Sequence, residues 1–339
     1  MTQMLSSGSG SSRPGSSASA PASPAPLGPS RVRRVLCAVA VVACLPYIAL
    51  KAAWLGGSRL GIPEGSSLLD HRAAMAVANG ASVLLDSAVI VLALLLTRPW
   101  GLRVPAWLLV FPMWVATGLL APIMTGYPLQ LIVRAFGGTV NKAADTGREP
   151  FLDEWVFGVV YTGFIVQGLA LGTLFVLYAR DRWGRLWREW PAGRGRTAQR
   201  TAALVAGIVA LFPAALHLLW ACGSATGLDE ARAEDRTGDF HVLEGMYVVF
   251  LAAAVTGAYL LAFRRSGRTL SVKVPLALAW TGSGAVACWG GWLSLASLAG
   301  VDDIAGRPTT LMNLTYAGQM IVGILVAGVG ASVLAKRST

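Results

Sequence analysis

Charged side chains are scarce in this chain, since Asp, Glu, Lys and Arg make up only 13% of its 339 residues. A soluble domain carries about 25% charged residues, so this chain has too few to cover a water-exposed surface. Hydrophobic residues account for 55% of the sequence, and the mean hydropathy is +0.59. The scarcity of charge argues against a soluble domain, and the composition is typical of an integral membrane protein.

Acidic residues are fewest where basic residues are most frequent. The segments that the sequence assigns to the cytoplasmic side hold 19 of the 28 Lys and Arg residues, but only Asp181 and Glu189 among the acids. This is the positive-inside distribution of membrane proteins. The net charge of +11 therefore indicates orientation rather than a nucleic-acid partner. It predicts a multi-pass protein of the plasma membrane with both termini in the cytoplasm.

Motifs that bind cofactors or metals are missing. The four cysteines form no C-x-x-C pair and no zinc spacing, and we interpret those in apolar runs as small packing residues. The sequence contains no phosphate-binding glycine loop, nucleophile elbow, H-E-x-x-H or dinucleotide fingerprint. We therefore predict no metal and no cofactor, and an enzymatic activity is uncertain and less favoured.

Eight apolar runs are long enough to cross a hydrocarbon core of about 30 Å, which takes about 20 helical residues. Lipid requires each run to satisfy its own backbone hydrogen bonds, so each is predicted to be a helix. The runs are Val35–Leu55, Ala73–Thr97, Pro105–Thr125, Trp155–Ala179, Ala202–Cys222, Val242–Phe263, Pro275–Leu298 and Leu311–Ala335. The sequence thus predicts an all-α integral membrane protein with eight transmembrane helices.

A short motif occurs twice, at the outer end of the first helix of each half. Residues 51–61 read KAAWLGGSRLG and residues 217–227 read HLLWACGSATG. Trp, Gly-Ser and the later Gly share one offset, and Lys51 corresponds to His217. Further matches follow in the same order: His71 with His241, 104–105 with 274–275, and 161–168 with 316–323. We interpret this as two tandem four-helix repeats of the same orientation.

The predicted organisation has four parts: a disordered cytoplasmic tail over 1–30, a first membrane repeat over 31–185, a basic cytoplasmic linker over 186–200 and a second repeat over 201–339. The tail consists of Ser, Pro, Gly and Ala without apolar periodicity. Around the linker, tryptophans alternate with arginines from Trp183 to Trp190. This spacing favours a short amphipathic helix on the anionic leaflet.

The repeated K/H-x-x-W motif followed by Gly-Ser resembles one found in functionally uncharacterised, multi-pass membrane proteins of actinomycete type. The resemblance covers about eleven residues in each half. The resemblance implies a membrane location, and it implies no particular activity. The eight-span arrangement is also similar to that of haem A synthase, but that family needs two histidines in each bundle. Here the helix interiors supply only His217.

Asp86 is the most informative single residue. It lies 13 residues into the second apolar run, about 20 Å from its outer end, and an ionisable group at that depth is a functional-site candidate. Its equivalent in the second repeat is Thr256, so a proton or cation role would be asymmetric. Asn79 lies two turns above Asp86, at the depth of Lys51, where it could bridge the two. We predict a pocket lined by Lys51, Asn79, Asp86, His217 and Glu244.

Other polar residues have simpler interpretations. His71 and His241 are predicted to form a polar pair at the outer face, and whether they bind a metal or haem stays open. Trp54 and Trp220 are predicted to be interfacial anchors, since the indole ring is apolar and its N–H needs a polar partner. Three amide side chains give the fourth helices polar faces, which we interpret as helix packing; these are Gln167, Asn313 and Gln319.

The sequence favours one function over two others. The favoured hypothesis is a protein that binds or transports a small solute from the extracytoplasmic side, through a pocket between the two halves. The first alternative is a membrane enzyme with an outer-face site of His71, His241 and Glu244. The second is an accessory subunit that supports a membrane protein partner. The predicted partners are thus the lipid bilayer, an unknown small solute and a possible membrane protein, without nucleic acid.

Overall fold

The computed structural model describes residues 30–64, 66, 72–138, 152–183, 197–234, 236–263, 271–298 and 307–335. Three features predicted from the sequence lie outside these ranges: the tail up to residue 29, His71, and the linker up to residue 196. No strand occurs in the described ranges, which are almost entirely helical. The all-α fold class is therefore confirmed.

Nine α-helices and one 3-10 helix form the described chain. Helices α1 to α4 span Arg31–Leu55, Arg72–Thr97, Ala106–Ala135 and Glu154–Trp183, and the 3-10 helix Pro99–Arg103 joins α2 to α3. Helix α5 spans Thr197–Ala221, and the short α6 spans Glu230–Glu234. Helices α7 to α9 span Gly238–Ala262, Lys273–Leu298 and Thr310–Ala335.

Local signals set where several of these helices begin and bend. The Ser30 side chain accepts a hydrogen bond from Arg33 N at 3.4 Å, and Thr237 accepts one from Phe240 N at 3.3 Å. Both are N-caps, which satisfy backbone donors that the first helical turn leaves free. Helix α3 contains three prolines, which a membrane helix tolerates because neighbouring groups satisfy the freed carbonyls.

Seven helices in the described part of the chain are long and apolar enough to cross a membrane, namely α1 to α5, α7 and α9. The protein is therefore a polytopic helical membrane protein. Helix α8 has sufficient length at 26 residues, but its Trp, Gly and Ser residues lower its hydropathy. Those small residues instead allow close packing, because Gly282, Ser283 and Gly284 are all buried.

Each half of the chain packs its own helices around an apolar core. In the first half, α1 lies against α2 and α4, and the core includes Cys44, Leu96 and Leu174. In the second half, α8 lies between α7 and α9, while α5 contacts both α7 and α9. That core is rich in small residues such as Ala206 and Ala254, both fully buried. Small residues let membrane helices approach closely.

The two tryptophan motifs form turns of the same geometry. Trp54 Nε1 donates to Leu60 O at 2.8 Å, and Trp220 Nε1 donates to Thr226 O at 2.9 Å. Two glycines in each turn have positive φ: Gly57 and Gly61 at 90° and 74°, and Gly223 and Gly227 at 95° and 75°. Only glycine adopts such angles readily. Both indole rings are buried, at 6% and 1% exposure. Each ring therefore closes its turn from inside the protein, and an additional anchoring role at the lipid interface stays a prediction.

The halves meet mainly where α3 packs on α8. Gly118 lies directly against the backbone of Gly284. On either side of this contact, Trp114 Nε1 donates to Ser283 Oγ at 3.0 Å and Trp280 Nε1 donates to Thr117 Oγ1 at 3.2 Å. The centre of the protein is therefore a tight helix contact with two indole hydrogen bonds beside it.

Substituting Gly118 by Ala is expected to lower thermal stability. A Cβ there would lie 2.3 Å from Gly284 O and 2.8 Å from Cys288 Sγ, so α3 and α8 must move apart. Overpacking of this kind costs about 1–3 kcal/mol. Gly172→Ala in α4 is the matched control, since a Cβ there meets nothing within 4 Å. The melting temperatures of both variants in the same detergent check this, and an unchanged Gly118→Ala melt would contradict it.

Candidate functional site

Two groups of polar side chains, each around a buried ionisable residue, lie within the helices of the described structure. The Asp86 cluster consists of Lys51, Asn79, Asp86 and Gln167, on α1, α2 and α4. The His217 cluster consists of His217, Glu244, Tyr247 and Gln319, on α5, α7 and α9. Buried polar groups in a membrane protein are expensive and commonly mark functional sites. These two clusters are therefore the candidate sites.

The Asp86 carboxyl group is half satisfied. The residue is 4% exposed, and its Oδ1 accepts a hydrogen bond from Gln167 Nε2 at 3.3 Å. Its other oxygen, Oδ2, has no hydrogen-bond partner in the described structure. Cys44 and Tyr47 of α1 lie close enough to interact electrostatically with the same carboxyl. Asp86 therefore faces the interior of the first half rather than lipid.

Two further polar atoms of this cluster are buried without a partner among the described residues, Asn79 Nδ2 and Gln167 Oε1. Asn79 is 3% exposed and lies seven residues before Asp86 on α2. That spacing puts both side chains on one face of the helix, about 10 Å apart along its axis. The cluster thus presents two free acceptors and one free donor along the interior of the first half.

Lys51 lies at the end of the Asp86 cluster nearest the Trp54 turn. Its Nζ lies 4.4 Å from the centroid of the Trp54 ring and 5.1 Å from that of Tyr47. Such cation–π contacts stabilise an ammonium that is partly withdrawn from water. No ion pair within 4 Å joins Lys51 to Asp86 in the described structure, although the two charges attract each other. A gap therefore separates the cation from the carboxyl.

The His217 cluster, in contrast, is closely bonded. His217 is 1% exposed, and its Nδ1 hydrogen-bonds to Glu244 Oε2 while its Nε2 contacts the side-chain nitrogen of Gln319. Glu244 and Gln319 thus lie on opposite sides of the imidazole, one at each ring nitrogen. The Tyr247 and Trp220 rings lie 4.8 Å and 5.3 Å from it. Both ring nitrogens are therefore occupied.

The outer-face histidines do not form a described pair, because His71 lies outside the described residues. His241 Nδ1 lies 3.1 Å from Trp220 O and donates to that carbonyl, so it helps to fix the second tryptophan turn. No group of three His, Cys, Asp or Glu residues suited to a metal ion occurs within the described ranges. The predicted His71–His241 site therefore stays a prediction.

The structure brings some predicted site residues together and separates others. His217 and Glu244 are hydrogen-bonded, and Lys51, Asn79 and Asp86 line one interior face. The two groups lie in different halves, however, and the seam between the halves is filled by the α3–α8 contact around Gly118. The five residues predicted to line one pocket thus lie in two clusters, because the helices that carry them pack on opposite sides of that seam. A pocket shared between the halves stays a prediction.

Sequence reasoning assigned Gln167 and Gln319 to helix packing and missed their contacts with the site residues. Each is at most 1% exposed and contacts the central ionisable residue of its cluster. The available signal was an amide side chain within an apolar helix, which has to find a polar partner on a neighbouring helix. The ion pair between Arg134 of α3 and Asp239 of α7, which links the two halves, was also missed.

Comparison of the chain with protein-family models, with curated proteins and with solved structures found no match in any of the three. The function is therefore inferred from the geometry of the two clusters.

Proposed function

We propose that this protein binds or transports a small solute from the extracytoplasmic side of the plasma membrane, and that the Asp86 cluster is its solute site. One observation carries the proposal: Asn79 Nδ2, Asp86 Oδ2 and Gln167 Oε1 are buried and have no partner among the described residues. A buried polar group without a partner costs about 1–3 kcal/mol. A solute that supplies the missing hydrogen bonds offsets that cost.

The chemistry of the free atoms indicates the kind of solute. Asp86 and Gln167 offer acceptors, so the solute carries N–H or O–H donors at the level of Asp86. Lys51 and Asn79 lie nearer the outer end, where an acceptor or anionic group of the solute would fit. A small ammonium compound, with or without a carboxylate at its other end, satisfies this pattern.

The proposal includes the finer architecture predicted from the sequence. Helix α8 is the eighth span, so both termini are cytoplasmic and the two tryptophan turns face outward. The matching geometry of those turns supports a tandem repeat of two four-helix units. Under this assignment, Lys51 and Asn79 lie on the outer side of Asp86, which gives the cluster its outward orientation.

The two alternative functions have less support. The alternative enzyme site consists of His71, His241 and Glu244. Of these, Glu244 hydrogen-bonds to His217 and His241 Nδ1 to Trp220 O, while His71 lies outside the described residues. A supporting subunit would be expected to place polar groups on outward faces, whereas Asn79, Asp86 and Gln167 are buried inside the first half. The unpartnered interior atoms fit a solute site better than either alternative.

Cysteine labelling tests solute access and orientation together. In a variant without the native cysteines, Asn79→Cys is expected to react with a small, membrane-impermeant thiol reagent added outside intact cells, because a solute path admits water. Leu84→Cys is the matched control: it lies on the same helix, is 71% exposed on the described surface, and faces lipid in the proposed topology. A thiol in lipid does not ionise and should not react.

The labelling outcomes separate the possibilities. Labelling of Asn79→Cys from outside, without labelling of Leu84→Cys, supports the proposal. Labelling only after permeabilisation would show that the cluster opens to the cytoplasm and that the orientation is wrong. An Asn79→Cys that stays unreactive in folded protein but reacts after denaturation would contradict a solute site.

A further inference from the structure

An apolar groove runs along the second half, between α5 and α7. Its volume is about 370 Å³. The lining residues are Ala203, Leu204, Gly207, Ile208, Leu211, Val255, Thr256, Tyr259 and Leu260. Leu204, Ile208 and Leu211 are 52%, 69% and 69% exposed, so the groove opens sideways from the helix pair. In the membrane this opening faces lipid.

Small residues of α5 create the groove. Gly207 has no side chain, and a Cβ there would lie 3.6 Å from Val255 Cγ1, an ordinary contact distance. Space for a larger side chain is therefore available, and the protein leaves it empty. At the corresponding position of α1 the sequence has Val41. The glycine that leaves this space is thus specific to the second half.

Arg200 lies at the end of the groove nearest the start of α5. Its guanidinium carbon is 5.8 Å from the centroid of the Phe263 ring, and Phe263 stacks on Tyr259 at 4.7 Å. Tyr259 in turn lines the groove. The Nε of Arg200 is buried and has no hydrogen-bond partner in the described structure. A cation with an unused donor therefore lies one helical turn before Ala203, the first residue of α5 that lines the groove.

We propose that this groove is a binding site for an anionic phospholipid, with the phosphate on Arg200 and one acyl chain along α5 and α7. Arg200 and Leu211 are eleven residues apart, about 16 Å along the helix, which is about half of a ~30 Å hydrocarbon core. The groove therefore matches one leaflet in depth. That leaflet is the cytoplasmic one in the proposed orientation, but the lipid site does not depend on the solute proposal.

The apolar lining and the nearby positive charge favour a lipid as the occupant of the groove. The groove is lined mostly by apolar side chains and opens sideways toward the hydrocarbon core, so an acyl chain of the surrounding lipid fits it. The sequence before α5 is also basic, with Arg194 and Arg196 and no acidic residue between Pro191 and Arg200. An anionic headgroup complements this charge.

Lipid binding to the full-length protein tests the site. The protein in mild detergent is titrated with dioleoyl phosphatidylglycerol or dioleoyl phosphatidylcholine, and bound lipids are counted by native mass spectrometry. We expect one phosphatidylglycerol to bind more tightly than phosphatidylcholine. Arg200→Gln should weaken phosphatidylglycerol binding about fivefold, the effect of about 1 kcal/mol for one arginine at an anionic headgroup. Arg200→Lys, which keeps the charge, should retain part of the preference.

Two further variants distinguish a built site from general attraction. Arg34→Gln removes an exposed arginine at the corresponding position of α1 and should leave binding unchanged. Gly207→Leu fills the groove and should reduce binding of both lipids, although Arg200 remains. Equal losses in Arg200→Gln and Arg34→Gln, or full binding in Gly207→Leu, would overturn the proposal. A dimer that Gly207→Leu dissociates would assign the groove to a second copy, which also overturns it.

Discussion

Asp86→Asn is expected to abolish solute binding while the protein remains folded and inserted. The substitution keeps the shape of the side chain and its contact with Gln167, but it removes the negative charge and replaces one acceptor oxygen with a donor. Loss of one partner from a buried, charge-assisted contact costs about 2 kcal/mol or more. We therefore expect at least a ~30-fold loss of affinity for a cationic solute.

Thermal stabilisation provides the measurement. Protein in lipid nanodiscs is heated with choline, putrescine or a small amino acid as probes, because a ligand that binds only the folded state raises the melting temperature. At least one probe should stabilise the native protein in a saturable way and have no effect on Asp86→Asn. Asp181→Asn is the control: it neutralises a half-exposed carboxylate at the other end of the first half and should leave the shift intact.

Asp86→Leu distinguishes a functional carboxyl from a structural one. If Asp86 serves only as a hydrogen-bond partner for Gln167, Asn should replace it with little effect, whereas Leu leaves the buried amide unpaired and lowers stability. If Asp86 binds solute, the Asp86→Asn substitution is sufficient to eliminate the solute-induced rise in melting temperature. Full stabilisation of Asp86→Asn by every probe that stabilises the native protein would contradict the solute site and favour an accessory subunit.

Hydropathy predicted the helices because a backbone in lipid has to satisfy its hydrogen bonds within the segment, which a helix does. Seven of the eight predicted spans match helices suited to a membrane. The ends were less accurate: the third span was predicted to end at Thr125, whereas α3 continues to Ala135. Pro128 and the polar Arg134 lie in that extension. The last turn of α3 makes tertiary contacts, among them the ion pair of Arg134 with Asp239. Hydropathy does not report such contacts, so it did not indicate the full length of the helix.

The depth of Asp86 was readable from the sequence, but its partners were not. Counting residues from the helix end placed the carboxyl within the bilayer, and periodicity placed Asn79 on the same face. Which helix faces that side depends on how α1, α2 and α4 pack, and short sequence motifs do not specify it. Gln167 therefore remained a packing residue in the sequence analysis, although its amide contacts Asp86.

The residues predicted to share one pocket lie in two clusters for a related reason. A duplicated sequence suggests equivalent sites facing each other across a symmetry axis. At the seam, however, Gly118 lies against Gly284, and the absence of side chains lets α3 and α8 approach too closely to leave a cavity. Trp114 and Trp280 lie beside this contact. Lys51 and His217 correspond in sequence, yet each points into its own half.

His217→Leu is expected to cause the largest loss of stability. In the described structure the imidazole is the only hydrogen-bond partner of the Gln319 side chain, and it also hydrogen-bonds to Glu244. Gln319 is fully buried, whereas the Glu244 side chain is 13% exposed. Removing one partner from a buried, charged network costs about 3–5 kcal/mol. His241→Leu, which removes one hydrogen bond at a partly exposed position, should cost about 1 kcal/mol.

A second substitution identifies the source of that loss. Because the carboxylate of Glu244 can turn toward water and the amide of Gln319 cannot, Gln319 should account for much of the cost. His217→Leu combined with Gln319→Leu should therefore recover about 1–3 kcal/mol relative to His217→Leu alone. Melting curves of the two single variants and the double variant give this coupling. Strictly additive effects would contradict the hydrogen bond between the two side chains.

The same double variant tests whether the clusters act independently. The His217 cluster lies on α5, α7 and α9, and the Asp86 cluster lies on α1, α2 and α4, with the α3–α8 contact between the halves. A folded His217→Leu/Gln319→Leu protein should therefore keep the solute-induced thermal shift of the native protein. Loss of that shift in a protein that melts as cooperatively as the native one would show that the second half controls the solute site. Solute binding would then require both halves, and the assignment of the site to the first half alone would be wrong.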